Sequence, residues 1–200
     1  GAAGTTDDPA PSGADGESTA ASAPPELFLG VDVGSVSTNL VLLDRDAAVV
    51  HGVYLPTRGR PVEVLGEGLR RIAARLGDRL AVLGVGTTGS GRHLAACVLG
   101  ADVVHNEITA QLLSATHFNP EVDTVFEIGG QDSKYIHARG GHLADFEMNK
   151  ICAAGTGSFL EEQAERLGVN IVDEFARLAL AGTRPPDLGT RCTVFMDAEL

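Results

Sequence analysis

Apolar and polar residues in the first half of the chain come in short blocks that predict strands and helices in alternation. Three apolar runs with tight polar connections predict an antiparallel meander: LFLGVDVG, NLVLLD and VVHGVYL. The next segment, PVEVLGEGLRRIAARLG, has apolar residues at helical spacing, with its arginines on the other face. A strand, a helix, a strand and a helix are then predicted in LAVLGVG, GRHLAACVLG, ADVVHNEI and TAQLLSATHF.

The same order begins again after Pro120. A second three-strand meander is predicted in TVFEIGG, SKYIHARGG and HLADFEMN, followed by helices in SFLEEQAERLG and VDEFARLAL. Another helix begins near Thr193, and the sequence stops inside it at Leu200.

This order predicts an α/β fold with two ribonuclease-H-like lobes. The first lobe is expected at 27–120, and the second, truncated before its later strands, at 121–200. Residues 1–26 are almost free of large apolar side chains, which predicts a disordered tail or interdomain linker. The start at Gly1 rather than methionine suggests an excerpt of a longer protein.

Composition narrows the function classes. A formal charge of −12 argues against a nucleic-acid surface, which needs a basic stripe. No apolar stretch approaches the roughly 20 residues that cross a bilayer, and no signal peptide is visible. Three cysteines without a secretion signal indicate reduced thiols in the cytoplasm.

A glycine- and hydroxyl-rich turn joins the first two predicted strands. Its glycine allows close backbone approach, while its hydroxyl and N–H groups can bind phosphate oxygens. An acidic residue at the end of the strand can hold Mg²⁺ through water. An ordinary β-turn is the alternative interpretation, because glycine and serine are common turn residues. The candidate residues are Asp32, Gly34, Ser35, Ser37 and Thr38.

The second meander has a matching turn, Glu127–Lys134, which includes Gly129, Gly130, Gln131 and Asp132. Two such turns can clamp one polyphosphate between them. A third glycine-rich segment, GTTGSGR, follows a strand and opens a helix, where anions bind readily. The repetition favours a phosphate site over three unrelated turns.

Cys152 and Cys192 each precede a predicted helix, and a helix N-terminus favours a thiolate. An anionic four-iron cluster would suit such thiols, two from each subunit of a symmetric dimer. Two small buried hydrophobic side chains are the alternative, favoured by spacing alone. A zinc site is disfavoured, since CxxC and close Cys/His pairs are absent from the sequence. Cys97 is predicted to lie in the core.

The paired turns resemble those of the superfamily that contains actin, hexokinase and the heat-shock ATPases, in which ATP binds between two lobes. The resemblance implies Asp32 on the Mg²⁺ side, Asp132 on the opposite lobe and Gln131 near the attacking water.

Six motifs, in order, resemble the activator ATPases of 2-hydroxyacyl-CoA dehydratases and the ATPase subunits of benzoyl-CoA reductase. They are GVDVGSVSTNLVLLD, GTTGSGR, NEITA, EIGGQDSK, MNKICAAGTGSFLEEQA and RCTVF. The resemblance covers 27–200 and implies a [4Fe–4S] cluster held between two subunits by the cysteines at 152 and 192. It also implies nucleotide binding by Gly155, Thr156 and Gly157.

The family further implies that ATP hydrolysis drives a low-potential electron from ferredoxin or flavodoxin into the partner dehydratase or reductase. Asn39 and Ser158 depart from the lysine and arginine of the short activators and suggest the long multidomain relatives. The family's adenosine-binding glycine motif lies beyond Leu200, so this chain alone is expected to bind ATP poorly. A small-molecule kinase of the same fold and a non-catalytic regulatory module remain alternatives.

Overall fold

The computed structural model of the protein describes residues 24–77, 80–149, 154–187, 189 and 192–196. The predicted disorder of the N-terminal segment therefore concerns residues that lie largely outside this part of the chain. The predicted metal ligand Cys152 also lies outside it.

The first sheet has five strands in the order β3-β2-β1-β4-β5. The first three form the predicted antiparallel meander, and β4 and β5 add to its β1 edge in parallel. The strands are β1 (Glu26–Val33), β2 (Ser37–Leu43), β3 (Val49–Pro56), β4 (Ala81–Thr88) and β5 (Val103–Val104).

One face of this sheet is the main core. Alternation along β1 buries Leu29 and Val31 on one side and leaves Asp32 on the other, because successive strand residues face opposite ways. The buried side chains pack with Leu65 and Ile72 of α1. Helices α1 (Pro61–Leu76), α2 (Arg92–Leu99) and α3 (Glu107–Phe118) follow the strands in the predicted order.

The second sheet is a three-stranded antiparallel meander, in the order β6-β7-β8. Ile136 at its centre is 0% exposed and packs with Leu112 of α3, so this helix covers the second sheet. The strands are β6 (Thr124–Ile128), β7 (Ser133–Arg139) and β8 (His142–Met148). They are followed by α4 (Gly157–Arg166), a π-helical turn (Ile171–Phe175), α5 (Ala176–Ala181) and α6 (Thr193–Met196).

Two local predictions were wrong. The strand expected over 101–108 is only β5, because the Asn106 side chain accepts a hydrogen bond from Thr109 N (2.8 Å) and starts α3 there. Cys97 is exposed rather than in the core, since α2 presents Ala95 to the sheet. Among the described helices, none is long and apolar enough to span a bilayer.

Candidate functional site

The two predicted phosphate turns have the same backbone geometry. In the first hairpin (34–37), Gly34 N donates to Ser37 O over 2.8 Å. In the second hairpin (129–132), Gly129 N donates to Asp132 O over the same 2.8 Å. Each turn joins the first two strands of its sheet. The sequence repeat is therefore also a repeat in structure.

Each hairpin has a carboxylate two residues before its glycine. Asp32 is the penultimate residue of β1 and lies opposite Asn39, and Glu127 lies in β6 opposite Lys134. The two positions are equivalent in register, but only the second hairpin has a cation across from its acid. The hairpins differ in charge at two equivalent positions, where Asp132 replaces Ser37 and Lys134 replaces Asn39.

The hairpins contact each other at one end of a shared cleft. A Cβ built on Gly130 would lie 2.8 Å from Val36 Cβ, closer than real side chains approach. Glycine is therefore required where the second hairpin crosses the first. The contact keeps the two candidate phosphate-binding turns side by side.

The start of α4 holds the second hairpin in place. Gly157 N donates to Gly129 O (2.8 Å), and Ser158 N donates to Gly130 O (2.9 Å). The Thr156 hydroxyl donates to the same Gly130 oxygen (2.9 Å) and is buried. These N–H groups, which a helix start leaves without intrahelical partners, thus bind hairpin carbonyls.

Two threonines stabilise the first hairpin through hydrogen bonds. Thr57 Oγ1 donates to Gly34 O (2.9 Å), and Thr57 N donates to Val36 O (2.7 Å). Thr38 shares a hydroxyl–hydroxyl hydrogen bond of 2.9 Å with Thr57 and is 0% exposed. Its hydroxyl therefore stabilises the turn and does not face the cleft.

The loop after β4 is hydrogen-bonded to the end of β1. Gly91 N donates to Val33 O over 2.8 Å, and Arg92 Nη1 donates to Gly89 O over 3.0 Å. Arg92 also pairs with Glu107 at 3.3 Å. The third glycine-rich segment thus lies at the same end of the sheet as the first hairpin.

These loops line a cleft of about 430 Å³, a size typical of small-molecule sites. Nine predicted site residues line it: Asp32, Gly34, Ser35, Ser37, Gly129, Gly130, Gln131, Asp132 and Gly157. Three other predicted site residues do not line the cleft: Thr38, Gly155 and Thr156.

Asp32 is a half-buried carboxylate of the cleft with no cationic side chain opposite it in register. Burial raises the pKa of Asp32 above its ordinary value, and the hydrogen bond from Asn39 opposes this. The carboxylates of Glu107 and Glu127 raise the Asp32 pKa further, and Lys134 offsets them only in part. A cation bound here would reverse that destabilisation of the carboxylate.

Lys134 is the internal counter-ion of the second hairpin. Its side chain is 6% exposed, and Nζ lies 2.9 Å from Glu127 Oε2 and in contact with Asp132 Oδ1. Burial alone would lower the pKa of Lys134, but the hydrogen bonds to Asp132 and Glu127 outweigh it and raise the pKa. Sequence reasoning gave Lys134 no role, although its spacing from Glu127 in a hairpin was a usable signal.

Among the described residues, no group of three or more His, Cys, Asp or Glu side chains could hold a metal ion. Mg²⁺ does not require such a cage, because it commonly binds one or two carboxylates together with substrate phosphates. The isolated carboxylate of Asp32 fits a cation that arrives with a nucleotide.

Cys192 is exposed and directly precedes α6, where its carbonyl accepts a hydrogen bond from Phe195 N (2.9 Å). The turn at Gly155, with φ of 79°, lies beside the first residue of that helix. A Cβ built on Gly155 would be 3.8 Å from Thr193 Cγ2. The segment that follows Cys152 therefore abuts the residue that follows Cys192.

Comparison with known proteins gives this geometry a context. The model of the BadF/BadG/BcrA/BcrD ATPase family matches residues 29–200. The (R)-2-hydroxyglutaryl-CoA dehydratase activating ATPase of Acidaminococcus fermentans is 34% identical over 176 residues. That match covers 86% of this chain but 65% of the relative, so the chain spans less than two thirds of its length.

Two solved structures have the same fold. Component A of the Acidaminococcus fermentans dehydratase matches with a TM-score of 0.70 and 31% identity, covering 86% of this chain and 66% of that one. The activator of 2-hydroxyisocaproyl-CoA dehydratase from Clostridium difficile, with bound ADPNP, has a TM-score of 0.70 and 28% identity, covering 86% and 63%. The predicted α/β fold of the actin and hexokinase type is confirmed.

Proposed function

The chain belongs to the BadF/BadG/BcrA/BcrD ATPase family, and we propose that it is the nucleotide-binding part of an ATP-driven activator of a CoA dehydratase or related reductase. The observation that carries the proposal is a pair of equivalent hairpins at one cleft. Gly34 and Gly129 begin these two hairpins, and each makes the same backbone hydrogen bond within its own turn. The first turn would offer the Ser35 and Ser37 hydroxyls, and both turns would offer backbone N–H groups, to a polyphosphate in the cleft. The bound ADPNP of the Clostridium difficile activator agrees with a nucleotide in this fold.

We assign the cation to the first hairpin. Asp32 lies there without a cationic partner opposite it in register, and its pKa is raised by burial, against the hydrogen bond from Asn39, and by nearby carboxylates. Mg²⁺ bound to ATP supplies that partner and neutralises phosphate charge when present. On the second hairpin Lys134 already compensates Glu127, so a second cation is not needed there.

Gln131 and Asp132 are assigned to the attacking water. Gln131 is exposed at the tip of the second hairpin, and Asp132 precedes the strand in which Lys134 lies. The Gln131 amide would orient a water toward the terminal phosphorus, as neutral amides do in other nucleotide hydrolases. Lys134 positions the Asp132 carboxylate at the edge of this region through their ion pair.

Gly130→Ala tests the shared cleft. Its Cβ would meet Val36, so the hairpins must separate, and we expect the full-length protein to bind Mg·ADPNP at least about tenfold more weakly, a loss of about 1.4 kcal/mol. Calorimetric titration measures the change. Gly86→Ala is the control, because a Cβ at Gly86 meets nothing within 4 Å. Unchanged affinity in Gly130→Ala would argue against binding between the hairpins.

We further propose that Cys152 and Cys192 hold half of a [4Fe–4S] cluster, completed by a second copy in a homodimer. Supporting this, the residues flanking the two cysteines are adjacent through Gly155 and Thr193. Exposure of Cys192 also suits a ligand shared across an interface. Four thiolates are the usual complement of such a cluster.

The start of α4 offers a route between nucleotide and cluster. This helix is hydrogen-bonded to Gly129 and Gly130 of the second hairpin and begins five residues after Cys152. A hairpin that moves on hydrolysis would therefore move the cluster-bearing segment with it. In this proposal a ferredoxin or flavodoxin supplies the electron in the cytoplasm, and a 2-hydroxyacyl-CoA dehydratase or related reductase receives it.

Iron and sulfide analysis after anaerobic reconstitution tests the cluster. We expect about four irons per dimer of full-length protein, and loss of most of that iron in Cys192→Ser and in Cys152→Ser. Cys97→Ser is the matched control, because Cys97 is also an exposed free cysteine but lies on α2. Iron that survives both ligand substitutions, or that is lost in the control, would contradict the assignment.

A further inference from the structure

Thr88 occupies the end of β4 beside the proposed cation site. It is the Cα partner of Asp32 in the parallel β1–β4 pairing, so the two side chains share one face of the sheet. Both residues line the cleft. Thr88 belongs to the glycine-rich segment GTTGSGR, and its side chain has no role in the function proposed above.

The Thr88 hydroxyl is buried and has no hydrogen-bond partner among the residues that the structure describes. Its neighbour Thr87 faces the opposite side and donates to Arg92 O at 3.1 Å. Buried polar atoms are nearly always paired, because leaving a hydrogen bond unmade costs free energy. An unpaired hydroxyl at a cleft wall is therefore a group that a ligand would satisfy.

The surrounding loop prevents the strand end from relaxing away from this arrangement. Gly89, with φ of 87°, packs so closely that a Cβ there would contact Asp32 Oδ1 and lie 2.5 Å from Val33 O. Gly91 N then bonds Val33 O. Thr88 is thus held against the end of β1 by the residues that follow it.

We propose that Thr88 Oγ1 is a binding group for the cation-bound polyphosphate, donating a hydrogen bond to a phosphate oxygen; this rests on the proposed nucleotide function. The carboxylate of Asp32 is an acceptor that can face the cation but repels phosphate oxygens. A hydroxyl on the same face supplies the missing donor. Together the two side chains match both parts of a metal–phosphate group.

Thr88→Val tests this proposal by its effects on two quantities, the melting temperature without nucleotide and the affinity for Mg·ADPNP. Without nucleotide, removal of an unpaired buried hydroxyl should leave the Tm of the full-length protein unchanged or raise it. Affinity for Mg·ADPNP should fall about tenfold, as expected for a hydrogen bond to a charged group. Thr88→Ser keeps the hydroxyl and should bind within about twofold of wild type.

Thr87→Val is the matched control, because its hydroxyl already has a protein partner. It should lower the nucleotide-free Tm while changing affinity far less than Thr88→Val. A Thr88→Val protein that melts earlier and binds Mg·ADPNP like wild type would overturn the inference and make the hydroxyl structural. Wild-type protein that binds no Mg·ADPNP would overturn the proposed function together with this inference.

Discussion

Replacing Gly89 by alanine is expected to lower the free energy of unfolding by about 2–5 kcal/mol, the sum of two costs. The first is the left-handed conformation, since Gly89 has φ of 87°. The second is steric, because the new Cβ would lie 2.5 Å from Val33 O and meet the Asp32 carboxylate. The backbone oxygen cannot rotate away as a flexible side chain could, so the loop itself must move. Denaturant unfolding monitored by circular dichroism gives the value.

Gly59→Ala isolates the conformational part of this cost. Gly59 also has a positive φ of 68°, but a Cβ there meets nothing within 4 Å. Gly59→Ala should therefore lower the free energy of unfolding by about 1 kcal/mol. Equal losses in the two variants would show that close packing of Gly89 against β1 contributes nothing.

Lys134→Met is expected to cost about 3 kcal/mol at pH 7, because it leaves two carboxylates without their buried cation. Methionine replaces the aliphatic stem, so the change is chiefly in charge. Glu127 is mostly buried, whereas Asp132 is 39% exposed and partly screened by water, which keeps the cost below the upper end for buried pairs. Arg71→Met removes an exposed ion pair with Glu67 on α1 and should leave the free energy of unfolding nearly unchanged, because water screens that pair.

The deficit of Lys134→Met should depend on pH in a defined direction. The folded pKa of Lys134 is raised, so its stabilisation is complete below the unfolded value near 10.5 and is lost as pH rises through the folded pKa. A deficit that stays constant from pH 7 until the pH is well above 10.5 would assign the loss to packing instead.

Sequence patterns predicted the order of the elements because each relies on local information. Alternation in β1 and β2 and helical spacing in α1 are visible in the chain itself, and the glycines at 34 and 129 mark the repeated turn. The β5 strand was overextended because apolar residues at 103 and 104 outweighed the capping signal of Asn106. Cys97 was misplaced because α2 has apolar residues around most of its circumference, and only the sheet decides which side is buried.

The sequence patterns predicted which loops line the cleft, but not the ion pairs within it. The glycine-rich turns are visible as motifs, whereas the ion pairs of Lys134 follow only when the hairpin register that places it opposite Glu127 is worked out. Thr38 has a hydroxyl of the kind that binds phosphate, yet this hydroxyl makes a hydrogen bond with Thr57, which is 19 residues away in sequence. The unpaired hydroxyl of Thr88 likewise becomes visible only when β4 is placed beside β1.

Hydrogen exchange of the full-length protein with and without Mg·ADPNP tests most directly whether both hairpins hold one nucleotide. The account predicts that amides of 34–38 and of 129–134 become protected together, that magnesium removal reverses the effect at both, and that β3 and β8 change little. Protection of one hairpin alone at saturating nucleotide, or of neither, would contradict it.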